Sequence, residues 1–161
     1  MKMKHLYLLV LVVVLGMGAG QAFAYDLDAA NAAYDRGDYA TAYLEYRKAA
    51  EQGNSDAQFD LGLIYDVGFS VPKNYTEAMH WSRLAAEQGN GDAQFTLGSM
   101  YFSGWYVQKN YVLAYKWLSL AAAQGLEGAR KNLQSIERDM TREQVAEAQR
   151  LAADFFARRN R

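Results

Sequence analysis

An all-α fold of stacked helix pairs is what this sequence predicts, and three observations predict it. Residues 54–89 and 90–125 align without a gap and agree at 20 of 36 positions. Apolar residues recur at helical spacing in both copies: Ala57, Leu61 and Tyr65 in the first, Ala93, Leu97 and Tyr101 in the second. A single proline, Pro72, interrupts 161 residues in which good helix formers are plentiful. Self-similarity at a fixed period of this length is the mark of a repeat solenoid, in which each unit buries its apolar face only against its neighbours.

The first 24 residues read as a cleavable leader. Lys2 and Lys4 supply a positive start, and residues 6–19 form an apolar run of about 14, short of the ~20 needed to span a bilayer as a helix. Ala22-Phe23-Ala24 offers small residues at the two positions that a signal peptidase inspects, so cleavage is expected after Ala24. Export to the periplasm, or alternatively secretion, follows as an expectation, with no integral membrane segment left after cleavage. Loss of Lys2 and Lys4 moves the net charge from −1 to −3, which points away from nucleic acid.

Residues 25–53 form an N-terminal helix pair. Its second half matches the second helix of the full copies through Tyr39, Ala42, Ala49 and Gly53, with Tyr46 filling the space that tryptophan occupies elsewhere. Its first helix spans about 28–36, and Gly37-Asp38 replaces a long loop. In the full copies, the first helices are expected over 56–65 and 92–101, capped by Ser55 or Asp56 and by Gly91 or Asp92. Gly62 and Gly98 stand inside these helices, where glycine costs about 1 kcal/mol relative to alanine. Their recurrence predicts a close backbone approach by a neighbouring helix. Loops over 66–74 and 102–110 lead to second helices over 75–88 and 111–124. Ala78, Trp81 and Ala85 form the buried stripe of one, and Ala114, Trp117 and Ala121 that of the other. Gly89 and Gly125 stand where a left-handed residue ends a helix. Residues 126–161 hold a partial repeat, with Ala129 and Leu133 in register, and a capping helix opened by the capping box Thr141-Arg142-Glu143-Gln144.

The doubled pattern A-Q-F-x-L-G-x-x-Y-x-x-G, Y-x-x-A-x-x-W and A-A-x-Q-G resembles the Sel1-like repeat, a longer relative of the tetratricopeptide repeat. The short-looped first pair is closer to a plain tetratricopeptide unit. The resemblance implies a right-handed α-α superhelix with a concave groove, acting as a non-catalytic protein-interaction scaffold, in bacteria often of the cell envelope.

Chemistry is sparsely represented. With no cysteine and only His80 after leader removal, thiolate metal sites, thiol catalysis and a Ser-His-Asp triad lack their parts. His80 stands where the other copy has Lys116, as expected of a solvated helix face. No cofactor motif is present. Ser70-Val71-Pro72-Lys73 matches the S-x-x-K of serine β-lactamases, which leaves a β-lactam or peptidoglycan hydrolase as a remote alternative. Pro72 and the repeat register put this serine in a loop rather than at a helix start, and the second copy has Tyr106 in its place.

Partner-binding candidates come from the helix face that the tetratricopeptide analogy turns toward the groove. They are Phe59, Leu63 and Asp66 in the first copy and Phe95, Ser99 and Phe102 in the second, with Trp105 and Tyr106 from the loop. Leu63, Asp66, Ser99 and Phe102 differ between copies, as expected where a partner is read. Phe59 and Phe95 recur, so they either face the groove or bury between helix layers. Phe69, Trp105 and Tyr106 are either exposed anchors or rings folded back over the helix ends. The partner expected is another protein, with a factor secreted onto host or neighbour proteins as the alternative.

Overall fold

A computed structural model describes residues 27–159, and the expected leader with its expected cleavage site lies outside the described residues. Eight α-helices follow one another: α1 (Leu27–Asp35), α2 (Tyr39–Glu51), α3 (Ser55–Val67), α4 (Tyr75–Glu87), α5 (Gly91–Ser103), α6 (Tyr111–Ala123), α7 (Glu127–Ile136) and α8 (Arg142–Arg159). A short 3-10 turn, Glu137–Asp139, joins the last two. No strand occurs among the described residues. Each helix packs on the next from α1 to α7, which gives the expected α-α superhelix of pairs.

Asparagines start the helices of both full copies. Asn54 and Asn90 accept from the backbone N–H of Ala57 and Ala93 at 2.8 and 2.9 Å, and Asn74 and Asn110 cap the second helices in the same way. The expected caps at Ser55 or Asp56 and at Gly91 or Asp92 therefore lie one or two residues late, inside the first turn. At Thr141 the reciprocal box forms: its N–H donates to Gln144 Oε1 at 2.9 Å, and the Gln144 N–H donates to Thr141 Oγ1 at 3.2 Å.

Glycines let the helices of each pair touch. A Cβ on Gly98 would stand 2.6 Å from Leu118 Cγ and 3.0 Å from the Leu118 nitrogen; one on Gly62 would stand 2.7 Å from Ser82 Oγ. Alanine does the rest: Ala57, Ala78, Ala85, Ala93, Ala114 and Ala121 are buried together with Leu61, Leu97, Leu118 and Leu120. Because small residues bring the backbones so near, the large rings sit at the margins of the stack. Tyr65, Tyr101, Tyr111 and Trp81 are only half-buried and Tyr75 is exposed, so of the six rings that recur in phase at these positions only Trp117, 5% exposed, belongs fully to the core. Tyr46 does fill its place, buried with its hydroxyl donating to Asn31 Oδ1 at 2.5 Å.

A ladder of glutamines ties successive pairs together. Buried Gln58 donates from Nε2 to the Ala50 carbonyl at 3.1 Å, and its Oε1 accepts from Gln88 Nε2 at 2.7 Å. Gln94 repeats this with the Ala86 carbonyl at 3.1 Å and Gln124 at 2.8 Å. Each rung adds a second donor to a carbonyl in the last turn of the preceding helix, which also accepts from the N–H of Gly53 or Gly89.

The last helix, α8, lies along α6 and caps the second full copy. Ala148, Ala152 and Phe155 are buried there, and Phe155 meets Trp117 edge to face at 5.6 Å. Lys116 is half-buried beneath α8, with its ammonium 3.9 Å from the centre of the Trp117 ring, and burial lowers its pKa. The solvated-face expectation thus describes His80, which is exposed, but not its counterpart Lys116.

Candidate functional site

Two cavities open between first helices of successive pairs. One, about 540 Å³, has Asn31, Tyr34 and Asp35 of α1 on one side and Asp60, Leu63, Ile64 and Val67 of α3 on the other, with Tyr46 and the loop residue Phe69. The other, about 430 Å³, has Asp66 of α3 facing Phe95, Thr96, Ser99, Met100, Phe102 and Ser103 of α5, with Trp105 and Tyr106 from the following loop. Thr96, Ser99, Met100, Ser103 and Trp105 stand 36 residues after Asp60, Leu63, Ile64, Val67 and Phe69. The cavities are one groove, repeated at the period of the fold.

Helical geometry selects these residues: positions 60, 63, 64 and 67 fall on one face of α3, and 96, 99, 100 and 103 on the same face of α5. In both copies the first helix runs two residues past its expected end, to Val67 and Ser103, closed by left-handed Gly68 and Gly104. Asp66 and Phe102 therefore sit in a last helical turn rather than a loop.

The loops close over the helix ends in two different ways. Phe69 stacks on Tyr39 at 4.8 Å and 9°, while Ser70 Oγ hydrogen-bonds the Tyr39 carbonyl at 2.9 Å. In the second copy Tyr106 holds the position of Ser70 and takes over the stacking, on Tyr75 at 3.9 Å and 15°. Trp105, in the position of Phe69, is released to 69% exposure. Ser70 and Tyr106 both adopt left-handed backbone, φ 58° and 63°, a conformation that costs a side-chain-bearing residue about 1 kcal/mol or more. Folding back thus describes Phe69 and Tyr106, and exposure describes Trp105. Ser70 lies between α3 and α4 rather than on a helix, as the S-x-x-K match requires it not to.

Charge in the groove is of one sign. Neither cavity is lined by lysine, arginine or histidine. The ion pairs among the described residues join Arg47 to Glu51, Lys48 to Glu45, Arg130 to Glu127, and Arg150 to Glu147 and Asp154, and none uses Asp35, Asp60 or Asp66. Burial, then the charge of Asp56, pushes Asp60 up to about 6. Burial, then Asp60, pushes the Tyr46 phenol up to about 12. Tyr106 is also raised to about 12, first by its hydrogen bond with Tyr75, then by burial, by the charge of Asp66 and by a hydrogen bond with that carboxylate. Asp66 Oδ1 is closed to solvent and has no hydrogen-bond partner.

Of the eight residues the sequence singles out, six line the second cavity: Asp66, Phe95, Ser99, Phe102, Trp105 and Tyr106. Leu63 lines the first. Phe59 lines neither; it packs between layers against the cluster of Met79, Ala85, Ala93 and Leu97. Phe95 does both, since its ring also packs against Leu118, Ala121 and Ala129. The sequence reading passes over Asp60, Ile64 and Val67, although their counterparts Thr96, Met100 and Ser103 differ just as Leu63 and Ser99 do. It also misses the α1 wall, which has no second copy to be compared with.

Stacked two-helix units, closed by glycine and lined along one face by a repeating groove, define an α-helical repeat protein. The Sel1 repeat family matches residues 30–54, 55–90 and 91–126, so the chain belongs to that family, and the match extends over its short-looped first pair. Among solved structures it is similar to c5321, a protective antigen present in uropathogenic Escherichia coli strains that displays an SLR fold, with 34% identity and a TM-score of 0.74 over 82% of this chain and 30% of that one. It is also similar to a Sel1 repeat protein from Oxalobacter formigenes, with 30% identity and a TM-score of 0.66 over 81% of this chain and 56% of that one. The chain thus spans under a third of the first and little more than half of the second. No curated protein matches it.

Proposed function

We propose that this chain is an exported, non-catalytic interaction module that holds a segment of a partner protein in the groove between its first helices. The observation that carries the reading is where the two full copies differ. Every α3 and loop residue that lines the first cavity differs from its counterpart, and so does every lining residue of the second except Phe95. The capping, glutamine-ladder and close-approach glycine positions repeat, whereas groove positions other than Phe95 do not, which is the pattern of a solenoid whose concave surface is individually shaped. Membership of a family that commonly serves as an interaction scaffold supports it. The apolar leader supports export, with the periplasm as the first compartment, and among the described residues no helix is long and apolar enough to cross a membrane.

The test is recovery of partners from envelope extract by wild type and by a Leu63→Asp/Trp105→Ala variant. Loss of specific partners by a variant with unchanged helicity is the expected result; full retention contradicts the groove. A second reading, a secreted factor acting on host proteins, is favoured by the likeness to a protective antigen of uropathogenic strains. Fractionating a producing culture separates the two: protein in the medium supports secretion, and protein released by osmotic shock supports the periplasm.

A further inference from the structure

Resting on the groove reading, we infer that the occupant is a basic segment of a partner protein, which inserts one lysine or arginine side chain into each of the two repeated cavities. Three independent features point to this chemistry. Both cavities have acids and no cation in their lining, and those acids take part in no ion pair among the described residues. Glu51, Glu127 and Glu147, outside the groove, do pair with arginines of their own helix.

Second, Asp66 Oδ1 is shut away from water and meets no charged donor, with only the Tyr106 hydroxyl beside the carboxylate. A carboxylate oxygen left so is destabilising until a donor reaches it, and a guanidinium or ammonium is the donor that supplies both hydrogen bonds and charge. Third, the walls are aromatic and apolar: Tyr34, Leu63 and Phe69 in one cavity, Phe102, Trp105 and Tyr106 in the other. Such walls cover the aliphatic stem of a long cationic side chain, and the ring faces attract its charged end. An anionic segment would meet like charge, and a wholly apolar one would bury the carboxylates without partners.

The two cavities recur at the period of the fold, so the segment presents its two cations at the spacing of neighbouring first helices, on the order of 10 Å for packed helices. Asp60 is ionised at neutral pH only against the opposition of burial, so it costs the fold stability. A charge kept at such a cost inside a groove serves recognition better than folding.

The experiment is selection of random peptides displayed on phage by the immobilised mature chain, followed by affinity measurement on synthetic peptides. Selected peptides are expected to be enriched in arginine and lysine among apolar residues. Replacing the basic residues of the tightest peptide by citrulline or glutamine should weaken it about tenfold or more. Asp60→Asn and Asp66→Asn should each weaken it comparably, whereas Glu51→Gln, which removes the same charge outside the groove, should leave it unchanged. High salt should weaken it as well. Peptides without basic enrichment that are still lost with Leu63→Asp/Trp105→Ala would overturn the cationic occupant and leave the groove standing. Peptides indifferent to every groove substitution would overturn both, and a selection that recovers no peptide counts against the proposal.

Discussion

The copies at 54–89 and 90–125 share a skeleton and carry different surfaces, and the structure shows where each kind of residue went. Shared residues cap helices (Asn54 and Asn90), tie pairs together (Gln58 with Gln88, Gln94 with Gln124) and let backbones meet (Gly62 and Gly98). Residues that line the groove, Phe95 apart, are among those that differ. The first copy presents Asp60, Leu63 and Val67; the second presents Thr96, Ser99 and Ser103, with a tryptophan thrown outward. On the other side, α8 lies along α6 of the second copy and sets Phe155 on Trp117, so the same tryptophan is half-buried at 81 and buried at 117. One pattern therefore serves two tasks, and neighbours rather than the residue itself set how much each contact is worth.

The largest break in the symmetry is expected at the tryptophans. Trp117→Ala removes a buried ring packed on Phe155 and should cost about 3–5 kcal/mol in chemical denaturation. Trp81→Ala, at a half-buried ring whose Nε1 donates to Glu77, should cost less than half as much. Equal losses would mean that α8 adds nothing to the second copy. Next come the glycines. Gly98→Ala drives a methyl into Leu118 and its backbone and should cost about 1–3 kcal/mol. Gly62→Ala, which meets first the movable hydroxyl of Ser82, should cost less. Gln94→Ala removes a buried side-chain donor from the Ala86 carbonyl, which keeps the Gly89 N–H, and should cost about 0.5–1.5 kcal/mol; Gln58→Ala should match it because this rung is shared.

A smaller effect separates the grooves. Asp60 is raised from 3.8 to about 6, so the folded state binds its proton more tightly than the unfolded chain does. The unfolded chain then holds fewer protons between these values, and stability falls as pH rises from about 4 through 6. Asp60→Asn should remove that loss, gaining about 1 kcal/mol near neutral pH after allowance for the water that still reaches the carboxylate. The gain should vanish near pH 4, as followed by denaturation across pH. Thr96 in the second copy offers no such effect. Smallest is Trp105→Ala, which should stay within about 0.5 kcal/mol of wild type, because an exposed ring contributes to binding and little to folding.

Much of the fold is legible because repetition acts as its own control. A glycine seen once is ambiguous, but Gly62 and Gly98 at one register announce a close approach, and both make one. The capping box at Thr141 is read from four adjacent residues. Less legible is whatever depends on distance along the chain. Gln58 finds its partners 8 and 30 residues away, so nothing local distinguishes it from a surface glutamine. The recurring aromatics look like core by periodicity, yet alanine packing leaves them at the margins. In the groove, six of the eight chosen residues meet in one cavity, because a helical face and a difference between copies together suffice to find it. The second wall of the other cavity, Asn31, Tyr34 and Asp35, comes from a shortened pair with no partner copy to mark which of its residues vary.

Site-specific photocrosslinking in producing cells puts the central claim most directly at risk. A crosslinking residue at position 63 or 99, in the groove, should trap the same partner, and one at position 80 or 83, on α4, should trap none. Adducts from α4 alone, with the groove positions silent, would contradict the assignment of binding to the face where the two repeats diverge.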